Sequence, residues 1–231
     1  MHILFAFITL LRSVIGAFFI LEAIMTNTQK SIYKITLTAV FSAISFLLMF
    51  IEISLPIIPS FIKFDISDLP ALIGTFSIGP IYGVLIELLK NILHILICGT
   101  SSAGVGEISN FILGAVFCLV TGLIFKSKRI KNSAVIGCII GAIIMGIVSL
   151  PLNYFIVYPA YVNFYGMPLE AIIGLYQEIL RFISDKPTQN SLFNCLLIFN
   201  FPFTVVKGLI DALLCGVILK PLSKFIKLKA K

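Results

Sequence analysis

Residues 133–157 carry no charged side chain. Crossing the hydrocarbon core of a bilayer takes about 20 apolar residues, and this run has further segments to pack against: apolar stretches at about 33–51, 67–78, 80–97, 107–125 and 198–219. With no water to satisfy backbone groups, spanning segments of this composition must be helical. The composition agrees, with 59% hydrophobic and 12% charged residues and a mean hydropathy of +1.12, against about 25% charged in soluble domains. The fold class read from the chain is an all-α integral membrane protein, a six-transmembrane-helix bundle over residues 25–231. At 231 residues roughly six spans leave no room for a separate catalytic domain.

The second stretch is short, and Gly79-Pro80 marks the turn into the third. Six spans put both ends on one side. Lys30, Lys34, the basic cluster Lys126 to Lys131 and the tail from Lys220 to Lys231 fall together under the positive-inside rule, so the core termini are expected on the cytoplasmic side of the membrane. The outside then receives residues 52–66, 98–106 and 158–197. Within the last, Pro168 to Ser184 has helical apolar spacing and is expected to lie along the membrane surface. Residues 1–24 form an apolar N-terminal extension broken by Arg12 and Glu22. It reads as a start assigned upstream of Met25 or as an extra helix, rather than as a cleaved signal peptide.

The net charge of +7 sits at the ends of apolar runs, which points to membrane topology and not to nucleic acid. Five scattered cysteines without a C-x-x-C pair behave as small apolar residues. The Gly/Ser segment 98–110 lacks the G-K-[ST] ending of a phosphate loop.

The polar residues inside the apolar runs carry the functional information. Lys207 lies well inside the last span, where a charge must face a partner or a cavity. A binding role competes with a structural i,i+4 pair to Asp211. Asn153 follows Pro151 and Asn200 precedes Pro202. Their amides either serve a ligand or satisfy backbone groups freed by the prolines. Glu87, Lys90, Asn91 and His94 share one helical face and read as an interhelical polar network, with too few ligands for a zinc site. Asp65 and Asp68 precede Leu69-Pro70, and Asp68 reads as a helix cap. Ala39 and Ala43, with Ser42 alongside, make a small-residue face on the first span.

Several of these blocks occur in an order that resembles the substrate-binding S components of energy-coupling factor (ECF) vitamin transporters, most closely the riboflavin-specific members. They are Pro56-x-x-Pro59-Ser60, Phe64 to Leu72, Gly79-Pro80-x-x-Gly83-Val84 with Glu87 to Asn91, Gly104 to Glu107 with Asn110-Phe111, Leu152 to Phe155, and Pro202 to Gly208, within about residues 30–228. The resemblance implies a six-helix bundle with a substrate pocket at the extracellular side, and no catalytic residues and no cofactor, riboflavin being cargo. It implies that Asn153, Thr204 and Lys207 contact the flavin and that a loop including Glu52, Leu55, Pro56 and Phe61 closes over it. It also implies that Ala39 and Ala43 dock onto a membrane coupling subunit driven by two cytoplasmic ATPases. Thr204 departs from the resemblance, since relatives usually carry Asn there, and a hydroxyl has fewer hydrogen-bonding sites than an amide. Competing readings are an S component for another flat vitamin, a small membrane enzyme holding Mg²⁺ at Asp65 and Asp68, and a proton-coupled carrier using Glu87 and His94.

Overall fold

The first described helix, α1 (Asn27–Met49), is set by a capping box. Thr26 Oγ1 accepts from Gln29 N–H at 3.4 Å while Gln29 Oε1 accepts from Thr26 N–H at 2.7 Å, satisfying two of the donors a helix start leaves open. The computed structural model describes residues 9, 13, 16, 25–54, 58–59, 62–100, 103–127, 132–166, 168–183 and 191–219, with backbone alone at 165 and 180–183. The extension read over residues 1–24 thus lies outside the described residues except at Thr9, Ser13 and Gly16.

After α1 the chain forms a small hairpin, β1 (Ile53–Ser54) against β2 (Lys63–Phe64), antiparallel with Ile53 opposite Phe64. The bundle is therefore not strictly all-α. Two-residue strands have no periodicity of their own, and the pairing rests on the chain returning over the bundle end. The exposed pair Glu52 and Lys63 adds an ion pair beside it.

The helix α2 (Leu69–Ser77) follows, opened by Pro70 and ended at a turn in which Gly79 adopts φ 121°, a conformation that favours glycine. Its residues are nearly all buried. At nine residues it is about 14 Å long, roughly half of a hydrocarbon core. Pro80 then starts α3 (Pro80–Cys98), followed by α4 (Val105–Lys126) and α5 (Ser133–Leu152).

Beyond Pro151, which lacks an N–H to donate, α5 widens into a π turn (Asn153–Val157) and continues as α6 (Tyr158–Tyr165). After α7 (Leu169–Ile183), α8 (Leu192–Cys195) passes through a second π turn (Leu196–Asn200) into α9 (Phe201–Leu219). Hence the last two apolar runs extend further than their hydropathy suggested, to Phe164 in one case and from Leu192 in the other. Five helices are long and apolar enough to cross a membrane among the described residues, namely α1, α3, α4, the α5–α6 run and the α8–α9 run. The short second stretch, α2, does not reach that length.

In cross-section α1 packs on α3, α3 on α4, α4 on α5 and α5 on α9. The inserted α2 touches α1, α3, α4 and α9, closing the ring. The core of this bundle runs through Phe41, Leu72, Ile73, Ile86, Phe117, Met145 and Ile218. A second cluster, with Tyr158, Ile172, Tyr176, Cys195, Leu196 and Phe199, joins α7 to the π-turn region of α8–α9. Consequently α7 packs on the bundle end through Ile172 and Tyr176, which are buried.

Candidate functional site

The hairpin end of the bundle encloses a cavity of about 330 Å³. Its walls come from the end of α1 and the hairpin (Glu52, Ile62, Lys63, Asp65), from α3 and α4 (His94, Glu107, Asn110), and from α5, α6 and α9 (Asn153, Tyr158, Tyr161, Asn200, Phe203, Thr204, Lys207). Asp68, at the start of α2, faces the same space.

The charged groups are linked. Lys207 on α9 lies 3.1 Å from Asp65 and 3.2 Å from Asp68. Asp68 spends its other oxygen on Lys90 of α3, which also donates to Ser67 Oγ at 3.0 Å and pairs with Glu87 at 2.7 Å. One carboxylate thus bridges a fully buried ammonium, that of Lys90, and a part-buried one, that of Lys207, from different helices. This arrangement corrects two expectations. Asp68 occupies the N-cap position but makes no side-chain cap hydrogen bond, because the lysines claim its oxygens. Lys207 does not settle on Asp211, whose carboxylate is fully buried with no hydrogen-bond partner among the described residues; it reaches instead across the bundle to the chain leading into α2. Glu87, Lys90 and Asn91 are buried on one face of α3, and Lys90 makes that face interhelical. His94, further out, meets Glu107 of α4 at 3.2 Å, and Glu107 also accepts from Thr100 at 3.1 Å.

The two asparagines lie in the two π turns. Asn153 donates one amide proton to the Ser149 carbonyl at 2.8 Å. Thr204 likewise donates its proton to the Asn200 carbonyl at 2.8 Å. Both side chains still border the cavity. The alternatives read from sequence, ligand pocket or backbone repair, are therefore compatible, since an amide has a second proton and a hydroxyl retains acceptor capacity. Besides the expected Asn153, Thr204 and Lys207, the charged residues Glu52, Lys63, Asp65, Asp68 and Glu107 line the same space.

Of the other site residues expected from sequence, Leu55, Pro56 and Phe61 lie outside the described residues. Ala39 and Ala43 are exposed on the outward side of α1, while Ser42 is turned inward and donates to Thr38 O at 2.7 Å. Sequence reasoning did not assign Glu107, Tyr158, Tyr161 or Phe203 to the site. Glu107 was visible as an acidic residue opening an apolar helix, but the tyrosines carried no distinguishing pattern.

The family profile described as ECF transporter, substrate-specific component, matches residues 33–219. The chain belongs to this family. This S component is 32% identical over 201 residues to the riboflavin transporter RibU of Staphylococcus aureus (strain TCH60), covering 87% of this chain and 95% of that protein. It is 31% identical to the riboflavin transporter FmnP of Bacillus subtilis (strain 168), covering 85% and 92%. A solved structure described as that of the S component of a bacterial ECF transporter is similar with a TM-score of 0.63 and 31% identity, over 84% of this chain and 97% of the other. The S component is thus a multi-pass membrane protein of a transport system, and its family description assigns it the substrate-specific role.

Proposed function

We propose that this S component binds riboflavin in the hairpin-side cavity, facing the cell exterior, and serves its ATP-driven import. The observation that carries the reading is the convergence of Asn153, Thr204 and Lys207 on one cavity. Its volume, about 330 Å³, lies within the range of small-ligand sites, about 300–1,000 Å³. A flavin has a flat ring with carbonyl and N–H edges and a hydroxylated tail. Phe203, Tyr158 and Tyr161 offer it aromatic walls, and the asparagines, Thr204 and Lys207 offer hydrogen bonds. The similarity to proteins named riboflavin transporters over most of the chain supports the same ligand.

In this reading α2 counts as the sixth segment of the bundle, the core termini face the cytoplasm, and the stretch from Glu52 through Leu55, Pro56 and Phe61 closes over the bound vitamin. Ala39 and Ala43 receive a transmembrane coupling subunit carrying two cytoplasmic ATPases. Their exposure on the outward side of α1 supports this role, because small residues allow close helix approach within a membrane. The reading is tested by purifying the protein from a flavin-rich host and by titrating the stripped protein with riboflavin, following loss of flavin fluorescence. A colourless preparation with no saturable quenching would refute it.

A further inference from the structure

The second π turn holds a closed hydrogen-bond ring. Tyr176 of α7 donates to Asn200 Oδ1 at 2.7 Å, Asn200 Nδ2 donates to the Tyr158 hydroxyl at 3.3 Å, and the two hydroxyls are bonded to each other. Each phenol has one proton. Tyr176 gives its proton to Asn200, so the hydroxyl-to-hydroxyl bond is donated by Tyr158. Every member then donates once and accepts once around the ring, an arrangement in which each bond polarises the next. All three side chains are at least nine-tenths buried, with Asn200 at 5% exposure.

Proton accounting leaves one donor over. The amide of Asn200 has two N–H groups and the ring uses one. Asn200 and Tyr158 line the cavity, with Tyr176 behind them. One turn along α9, the Thr204 proton is committed to the Asn200 carbonyl, so Thr204 faces the cavity as an acceptor. The neutral side-chain donor left over between Asn200 and Thr204 is therefore the second N–H of Asn200. Bonded at both its oxygen and its nitrogen, the amide is held in place by the two tyrosines, and a group already held costs less to order on binding.

We propose that Asn200 is a ligand-binding residue that donates its second amide proton to an oxygen of the flavin, a ring carbonyl or a tail hydroxyl, with Tyr158 and Tyr176 as its positioning residues. The inference rests on the riboflavin reading above and adds a contact from outside the set Asn153, Thr204 and Lys207.

The test uses the purified full chain, wild type and Asn200→Ala, Asn200→Asp and Tyr176→Phe, titrated with riboflavin, with lumiflavin, which lacks the tail hydroxyls, and with 2-thio- and 4-thioriboflavin, whose sulfurs accept poorly. Removing the donor weakens riboflavin binding about tenfold. Tyr176→Phe, which frees the amide while leaving the aromatic packing, weakens it less than Asn200→Ala does. With the analogue lacking the oxygen Asn200 faces, the Asn200→Ala penalty shrinks towards onefold, which is the coupling expected of a direct contact. A penalty equal across all four compounds, or variants that lower only the ligand-free melting temperature, overturns the proposal. Wild type that binds riboflavin no differently from its variants sinks this inference alone. Wild type that binds no riboflavin sinks the functional reading and this inference with it.

Discussion

Lys207 and Asp65 are separated by 142 positions in the chain and meet at 3.1 Å. The pair joins the last long helix to the segment that follows the hairpin, and both residues border the cavity. A cation placed this way can serve a ligand and hold the cavity's edge at the same time.

Replacing Lys207 with Ala is expected to weaken riboflavin binding by about 1.5 to 3 kcal/mol, the worth of a charge-assisted hydrogen bond, or roughly 10- to 150-fold in Kd. Fluorescence-quenching titration measures it. Unchanged affinity would leave Lys207 as a structural partner of Asp65 and Asp68 only.

Lys90 touches none of the cavity and should separate stability from binding. Its ammonium is fully buried between Asp68 and Glu87. Lys90→Met leaves carboxylates without that cation, and breaking a buried pair typically costs about 3 to 5 kcal/mol. The ligand-free protein in detergent should melt at a clearly lower temperature, and adding Glu87→Gln should recover part of the loss. A single variant as heat-resistant as wild type would show that the Lys90 pairs contribute no net stability.

The cavity should discriminate against a phosphorylated flavin. Glu52, Asp65, Asp68 and Glu107 line it, and its two lysines are already engaged, Lys207 by Asp65 and Asp68 and Lys63 by Glu52. A second set of negative charges brought into contact with these is unfavourable, so flavin mononucleotide is expected to bind at least about tenfold more weakly than riboflavin. Competition titration decides it, and equal affinities would contradict the electrostatic account.

Bulky residues at Ala39 or Ala43 should leave purified protein with normal riboflavin affinity while cells expressing it with its transport partners lose uptake. Both positions are exposed, away from the cavity wall. Loss of binding in the purified variants would mean that α1 communicates with the site directly.

The long helices were legible because hydropathy and length decide them, and the Gly79-Pro80 turn because glycine tolerates positive φ while proline fixes its own φ. The inward face of α3 was legible from spacing alone: Glu87, Lys90 and Asn91 are buried together as the helical period requires. Ser42 is buried while Ala39 and Ala43 are exposed, a division that the grouping by small size overlooked. What could not be read was long-range. Asp68 precedes an apolar helix and so imitates a cap, but its partners stand 22 positions away at Lys90 and on α9 at Lys207. The Tyr158, Tyr176 and Asn200 ring joins residues 18 to 42 positions apart. The π turns are only hinted at by Pro151 and Pro202 nearby.

The nine-residue helix α2 has one further consequence. Its first turn begins beside Asp68, on the boundary of the cavity, so the hollow occupies depth that a full-length spanning segment in that place would have filled with its own side chains. Adding two turns to the front of this short rod would therefore plug the protein while leaving the rest of its scaffold intact.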